Sequence, residues 1–151
     1  MQNRETIYAA LFAQLQTINA NLVGGAPAIQ TFSRRFMVAS RIDLQPALIM
    51  MEMGEEYAMP GARGTPNKVT LVAHAVLYTR DGADPNAVSA TNLNRLIDSL
   101  DAVIGPRNGL EHTLGELVHW VRIAKRQTIY EAAQDVTQAK TAIEIQMLAT
   151  T

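Results

Sequence analysis

The chain has 151 residues, of which 48% are hydrophobic and 18% charged, with a formal net charge of -1. This composition favours a single folded domain, residues 1–151, and excludes a disordered chain. The near-neutral charge argues against a generic nucleic-acid-binding protein. The absence of cysteine excludes disulfides, a thiol nucleophile and a thiolate metal site. Because the sequence shows neither signal-peptide features nor an apolar run of membrane-spanning length, we expect a soluble protein of a reducing compartment.

The first predicted element is an amphipathic helix over Asn3 to Ile18. Asn3 is its predicted N-cap, and Glu5 is favourable in the first turn. Gly24, Gly25 and Pro27 end the segment. The helix is predicted because one apolar stripe repeats at helical spacing, comprising Ile7, Ala10, Leu11, Leu15 and Ile18.

Three strands are predicted next, over Phe32 to Ile42, Gln45 to Met53 and Lys68 to Arg80. The third is the clearest, because apolar residues alternate along it and occupy both of its faces. A strand that is apolar on both faces is covered on both sides. Helices are expected to pack on one side, and our hypothesis is that another subunit covers the other.

A long loop is predicted between the second and third strands, over Gly54 to Pro66. It contains three glycines and two prolines, which do not fit inside a regular element. Loops of this length are usually functional or become ordered on a partner. We expect contact with protein rather than chemistry from its candidate interface residues, which are Glu55, Glu56, Tyr57, Met59 and Arg63.

The second half begins with a loop over Arg80 to Asn86 and a helix over Ala87 to Ile104. A strand is predicted from Leu117 to Tyr130, followed by a polar connection over Glu131 to Lys140. The chain then closes with an alternating strand over Thr141 to Ala149.

Strands that follow one another without crossover helices predict an α+β fold, with a mostly antiparallel sheet of about five strands and two main helices packed on one face. By simple alternation, Trp120 and Tyr130 are predicted on the same face of their strand, in the core.

Two clusters of residues have side chains that could form a chemical site. Glu52, Glu55 and Glu56 suggest a divalent cation site, but no further Asp or Asn follows at ligand spacing, and a solvated acidic loop is the better interpretation. The other cluster is His112, Glu116 and His119, which suggests zinc or an acid/base pair. Its spacing does not match HExxH. We therefore expect no catalytic residue, no metal and no cofactor.

Four stretches, in this order, resemble the tail terminator proteins of tailed bacteriophages, including those encoded in prophages. The resemblance is one of pattern over nearly the whole chain. The stretches are RETIYAALFAQL leading into FSRRFMVASRI, QPALIMMEMGEE running into the Gly/Pro loop, KVTLVAHAVLYTRDGAD followed by NLNRLIDSLDAVIGP, and TLGELVHWVRI with the C-terminal alternating strand.

The resemblance implies a structural virion protein rather than an enzyme. Such proteins form a homo-oligomeric ring, typically hexameric, on the end of the tail tube, where they stop polymerisation and present a surface to the head–tail connector protein. The expected partners are other copies, the tail tube protein and the connector, with neither sequence-specific nucleic acid binding nor a membrane. The expected location is the virion tail, assembled in the bacterial host cytoplasm. A second candidate contact is the loop Pro106 to Thr113, which carries Arg107 and His112.

Three alternatives remain open at this point. One is another neck or tail-completion protein that joins head and tail. Another is a small metal-dependent hydrolase that uses His112, Glu116 and His119. The third is a monomeric toxin or adaptor domain without catalysis.

Overall fold

The computed structural model describes residues 3–58, 68–80, 89–106, 109–131 and 136–147. Its elements, in chain order, are an α-helix, three strands, a second α-helix and two strands. Their bounds are α1 Arg4–Gln16, β1 Thr31–Ser33, β2 Ala47–Tyr57, β3 Val69–Arg80, α2 Ser89–Ile104, β4 Trp120–Glu131 and β5 Val136–Gln146.

The five strands form one sheet in the order β1-β2-β3-β5-β4. β1 pairs with β2 in parallel, and the other three pairings are antiparallel. Both helices contribute buried residues to the same hydrophobic cluster on one face of the sheet. The predicted α+β fold, with a mostly antiparallel sheet and helices on one face, is therefore confirmed.

The helix α1 begins and continues as the sequence predicts. The Asn3 side chain accepts a hydrogen bond from the Glu5 backbone N–H at 2.8 Å, which caps the first turn. Ile7, Leu11 and Leu15 are fully buried. After Gln16 the chain tightens into a short 3-10 helix, Thr17–Ala20, which buries Ile18.

The helix α2 packs its apolar stripe onto β3 and β5. It ends at Ile104, and the N–H of the next residue, Gly105, donates to the Asp101 carbonyl at 2.7 Å. The predicted start at Ala87 and the predicted loop before it fall mostly outside the described residues. The buried residues of the stripe include Leu93, Leu96, Leu100, Val103 and Ile104.

The second face of the sheet is covered over part of its length by the chain itself. Val76 and Tyr78 project from this face of β3 and pack with Ala39 and Ile42. These two residues come from the segment that the sequence predicted as a strand, Phe32 to Ile42. Only Thr31–Ser33 is a strand, so that prediction is wrong.

The chain leaves the sheet at Ser33 for a local reason. The Ser33 hydroxyl donates to the Arg35 carbonyl at 2.8 Å and accepts from the Arg35 N–H at 2.9 Å. Such local side-chain bonds compete with strand pairing and favour a turn. The segment then forms a second 3-10 helix, Ala39–Arg41, and lies across the sheet.

Two strands are longer than predicted. β2 continues through Gly54 to Tyr57, so the predicted loop Gly54 to Pro66 is wrong at its start, and residues 59–67 lie outside the described residues. Gly54 has φ of 126° beside a bulge in the pairing with β3, a conformation that suits glycine.

The predicted connection Glu131 to Lys140 is also wrong, because β5 begins at Val136. Its polar residues are held in the strand by two neighbours, since Val136 pairs with Arg80 of β3 and with Glu131 of β4. Tertiary pairing of this kind overrides weak local strand propensity. Residues 132–135 and the end of the predicted last strand, residues 148–149, lie outside the described residues.

The strand β4 begins later than predicted, at Trp120 rather than Leu117. The preceding turn contains Leu114 and Glu116, both with positive φ.

Within the part of the chain that the structure describes, no helix is long and apolar enough to cross a membrane.

Candidate assembly interface

Four of the seven predicted interface residues belong to the described part of the chain: Glu55, Glu56, Tyr57 and His112. All four lie at the same end of the sheet. Glu55 is paired with Leu71 of β3, and Leu71 is paired with Ile145 of β5. Ile145 is also paired with Val121 of β4, which forms a β-bridge with His112. The other three predicted residues, Met59, Arg63 and Arg107, lie outside the described residues.

Glu55 is held in place by two neighbours. The Arg4 guanidinium forms an ion pair with its carboxylate, and the Tyr57 hydroxyl donates a hydrogen bond to the same carboxylate. The Arg4 hydrogen bond, followed by that of Tyr57, lowers the pKa of Glu55 below its ordinary value of 4.5. The start of α1 is thereby tied to the end of β2.

Tyr57 remains 60% exposed despite its hydrogen bond. Its ring is therefore oriented by the protein and still available to a partner. Tyrosine presents a large contact area with few rotatable bonds, which is why it is common in protein interfaces.

Glu56 faces the opposite side of the sheet, where it lines an open concavity of about 550 Å³. The floor of the concavity is formed by Thr70 of β3 and Gln146 of β5. Trp120 and Arg122 of β4 line its far side. The sequence did not predict this surface, because its residues come from four strands that are distant in the chain.

Trp120 and Arg122 form the most specific contact of this concavity. The Arg122 guanidinium carbon lies 4.1 Å from the centroid of the Trp120 ring, within cation–π range. Its Nε donates to Glu111 Oε1 at 2.8 Å. Trp120 is therefore part of an accessible surface rather than of the core, contrary to the prediction.

The prediction that Trp120 and Tyr130 share a face is also wrong. A bulge between Ile123 and Lys125 shifts the alternation of β4 by one residue. Trp120 pairs with Gln146 and Tyr130 with Thr137, and these two β5 residues lie on opposite faces. Tyr130 is 57% exposed.

His112 has a structural position beside β4. Its carbonyl accepts from the Val121 N–H at 2.8 Å, and its Nδ1 accepts from the Leu114 N–H at 3.1 Å. His119 lies just before β4, where its backbone N–H donates to the Gln146 carbonyl at 2.9 Å. Both contacts fix the turn before β4 against the end of the sheet.

The structure does not bring the side chains of His112, Glu116 and His119 into an arrangement that could hold a metal ion. Across residues 3–58, 68–80, 89–106, 109–131 and 136–147, no group of three or more His, Asp or Glu side chains is placed to hold a metal ion. These three residues belong to that part of the chain, as do Glu52, Glu55 and Glu56.

A second charged surface lies beside β2. Arg34 forms ion pairs with Glu5 of α1, at 2.7 Å, and with Glu52 of β2. These pairs raise the pKa of Arg34 and lower that of Glu5. An open cavity of about 650 Å³ adjoins the pairs and is also lined by Phe36 and Met51. Phe36 is 54% exposed.

No protein-family model matches the chain, and a search of curated proteins finds no match either.

Proposed function

We propose that this protein is a structural component of a phage or prophage virion. It forms a ring on the end of the tail tube, ends tube polymerisation and provides the interface for head attachment. It acts by binding, without catalysis. The proposal starts from the resemblance in sequence pattern and is supported by the surface at one end of the sheet.

The observation that carries the proposal is the concavity between Glu56 and Arg122. Its rim presents Tyr57, Trp120 and Arg122, which are the residue types most enriched among interface hot spots. Two of them are held by contacts within the chain, because Tyr57 donates to Glu55 and Arg122 is bonded to Glu111. A side chain held in this way loses less entropy on binding.

The surface suits a protein partner better than a small molecule. The concavity is broad and open, and charged residues such as Glu56, Lys68, Glu111 and Arg122 line it. Small-molecule sites are usually enclosed and predominantly apolar. We therefore assign this end of the sheet to the tube or the connector.

A tube-capping assay tests the proposal. Tail tube protein is polymerised with and without the purified protein, and tube lengths are measured by electron microscopy. We expect short tubes with a cap at one end. In the variant Arg122→Ala, we expect the concentration needed for capping to rise about tenfold, the effect of losing one hot-spot residue.

The matched control is Arg95→Ala, which removes an exposed arginine of α2 that does not line the concavity. Tubes that grow to full length at every concentration of the wild-type protein contradict the proposal. Binding to the connector protein without any effect on the tube assigns the protein to the neck instead.

A further inference from the structure

The segment that crosses the second face of the sheet presents two large apolar side chains to solvent. Phe36 is 54% exposed and Val38 is 45% exposed. Met37, which lies between them in the chain, packs inward against the buried cluster that contains Val76 and Tyr78. Neighbouring apolar side chains that remain exposed in this way mark an interaction site.

The backbone that carries these side chains is held against the sheet on both sides. The Tyr78 hydroxyl donates to the Met37 carbonyl at 3.2 Å, and Gln45 Nε2 donates to the Ala39 carbonyl at 3.3 Å. Ala39 and Ile42 are themselves buried in the cluster. Because the backbone is already fixed, the segment loses little conformational entropy when a partner binds.

The exposed side chains line a cleft of about 540 Å³, which we call the arginine cleft. Its described lining residues are Arg35, Phe36, Met37, Val38 and Arg41. Arg35 and Phe36 also line the open cavity of about 650 Å³ beside β2, so the two hollows meet at the Phe36 ring. Small-molecule sites usually bury their ligand in one enclosed cavity. Two adjoining open hollows suit an extended peptide better.

The two arginines of the cleft have no acidic partner in the described part of the chain. Arg35 and Arg41 are exposed, and neither forms an ion pair there. Arg34, by contrast, is paired with Glu5 and Glu52. Among the described residues that line the arginine cleft, none is acidic. The cleft therefore presents two positive charges beside its apolar side chains.

This combination of groups specifies the chemistry of a ligand. The guanidinium group of arginine presents a planar fork of donors that matches the two oxygens of a carboxylate. The Phe36 ring and the Val38 methyl groups match an apolar side chain. A peptide that has a large apolar residue between acidic residues satisfies both requirements.

We propose that the arginine cleft binds an acidic peptide segment of a partner protein. A large apolar side chain of the peptide contacts Phe36 and Val38, and its flanking carboxylates pair with Arg35 and Arg41. The inference goes beyond the function proposed above, because it requires neither a ring nor a tail tube.

The arginine cleft and the concavity described above are separate surfaces. Thr70 of β3 forms part of the floor of the concavity, whereas the segment that carries the cleft packs on Val76 and Tyr78 of the same strand. Thr70 and Val76 are about 20 Å apart, since a strand rises about 3.3 Å per residue. A protein with two separate surfaces can join two different partners.

Nucleic acid is the main alternative ligand, because its phosphates are also negative. Its affinity for proteins comes from many phosphate contacts, and the arginine cleft supplies only two unpaired guanidinium groups among the described residues. The adjoining cavity is lined by Glu5 and Glu52, whose carboxylates disfavour a second phosphate there. A lipid surface is also less suitable, because the apolar side chains line a hollow.

Selection from a random peptide library displayed on ribosomes tests the proposal with the purified protein alone. We expect the recovered peptides to be enriched in Asp and Glu, together with Leu, Phe or Trp. The peptide recovered most often is then synthesised with a fluorescent label. Its Kd for the wild-type protein and for each variant is measured by fluorescence anisotropy.

Variants of the cleft are expected to weaken binding of this peptide. Arg35→Glu and Arg41→Glu are each expected to raise the Kd at least about tenfold, because an attraction is replaced by repulsion. Phe36→Ala is expected to raise it about tenfold. The matched controls are Arg95→Glu and Leu44→Ala, which alter exposed residues that do not line the cleft and are expected to leave the Kd unchanged.

Recovered peptides without enrichment in acidic residues overturn the proposal. A Kd that is the same in the wild type, Arg35→Glu, Arg41→Glu and Phe36→Ala also overturns it. A single-stranded oligothymidylate and phosphatidylglycerol vesicles are tested in parallel. If either one binds through Arg35 and Arg41 while the selection yields no acidic peptide, the cleft is a nucleic-acid or lipid site and the proposal is refuted.

Discussion

The hydroxyl of Tyr57 donates a hydrogen bond to the carboxylate of Glu55, two residues earlier on the same face of β2. The same carboxylate is paired with Arg4 at the start of α1. Glu55, which the sequence predicts in a loop, is thus part of strand β2, and its side chain is held by Arg4 in the first turn of α1. The exposed Tyr57 ring is thereby held at the end of the sheet that we assign to partner binding.

Replacement of Glu55 by glutamine is expected to lower the pKa of Tyr57. The hydrogen bond from the Tyr57 hydroxyl to Glu55, followed by the negative charge of Glu55, raises this pKa above its ordinary value of 10.0, because both disfavour the phenolate. The pKa is measured by NMR titration of the tyrosine ring signals. Glu56→Gln is the control, since Glu56 points to the other face of the sheet, and an equal pKa in wild type and Glu55→Gln contradicts the contact.

The stability of the protein is expected to fall as the pH decreases through the titration range of His74. Burial, followed by the positive charge of Lys140 on β5, lowers the pKa of His74 from 6.5. Its Nδ1 is buried without a hydrogen-bond partner in the described structure. The unfolded chain binds the proton of His74 more tightly than the folded protein does. The stability that depends on a neutral His74 is therefore complete above pH 6.5 and is lost as the pH falls below it.

Urea denaturation of wild type and His74→Gln across this pH range measures the effect. The free energy of unfolding of wild type, relative to that of His74→Gln, is expected to be constant above pH 6.5 and to fall as the pH decreases below it. A difference that is independent of pH contradicts the assignment of a neutral, partly buried His74.

Truncation of Leu71 to alanine is expected to lower the free energy of unfolding by about 2–5 kcal/mol. Leu71 is fully buried between β3 and the helices, so that the variant leaves a cavity. Leu44→Ala is the control, because Leu44 is 62% exposed, and its effect is expected to be within about 0.5 kcal/mol. Equal effects at the two positions, measured by urea denaturation, are inconsistent with this core.

Replacement of Arg122 by alanine is expected to change the fluorescence of Trp120 in the isolated protein. Trp120 is the only tryptophan of the chain, and its ring loses the guanidinium that lies 4.1 Å from its centroid. The loss of this cation–π contact is expected to cost about 0.5–1 kcal/mol at an exposed site. An emission spectrum that is the same in wild type, Arg122→Ala and the control Arg95→Ala would argue against the contact.

Much of the fold could be predicted from local patterns. The stripe of α1 and the alternation of β3 are periodic over enough residues to identify the element and its buried face. Leu71 and Leu77 of β3 are buried on the helix face and Val76 and Tyr78 on the other, which agrees with the prediction that both faces of this strand are apolar.

The errors arise where distant residues decide the local structure. The polar start of β5 is a strand because β3 and β4 flank it, and the bulge beside Ala124 moves Tyr130 to the other face from Trp120. Arg4 and Glu55 are 51 positions apart, and no spacing rule predicts their contact. Most of the candidate surface depends on such long-range pairings, which explains why only its β2 and His112 residues were predicted.

The most direct measurement for the proposed function is cryo-electron microscopy of the purified protein mixed with tail tubes. The account predicts a single ring of about six copies at one end of each tube, with the sheet end that carries Tyr57 and Trp120 in contact with another protein. Tubes with bare ends, together with a protein that stays monomeric at every concentration, would contradict the account.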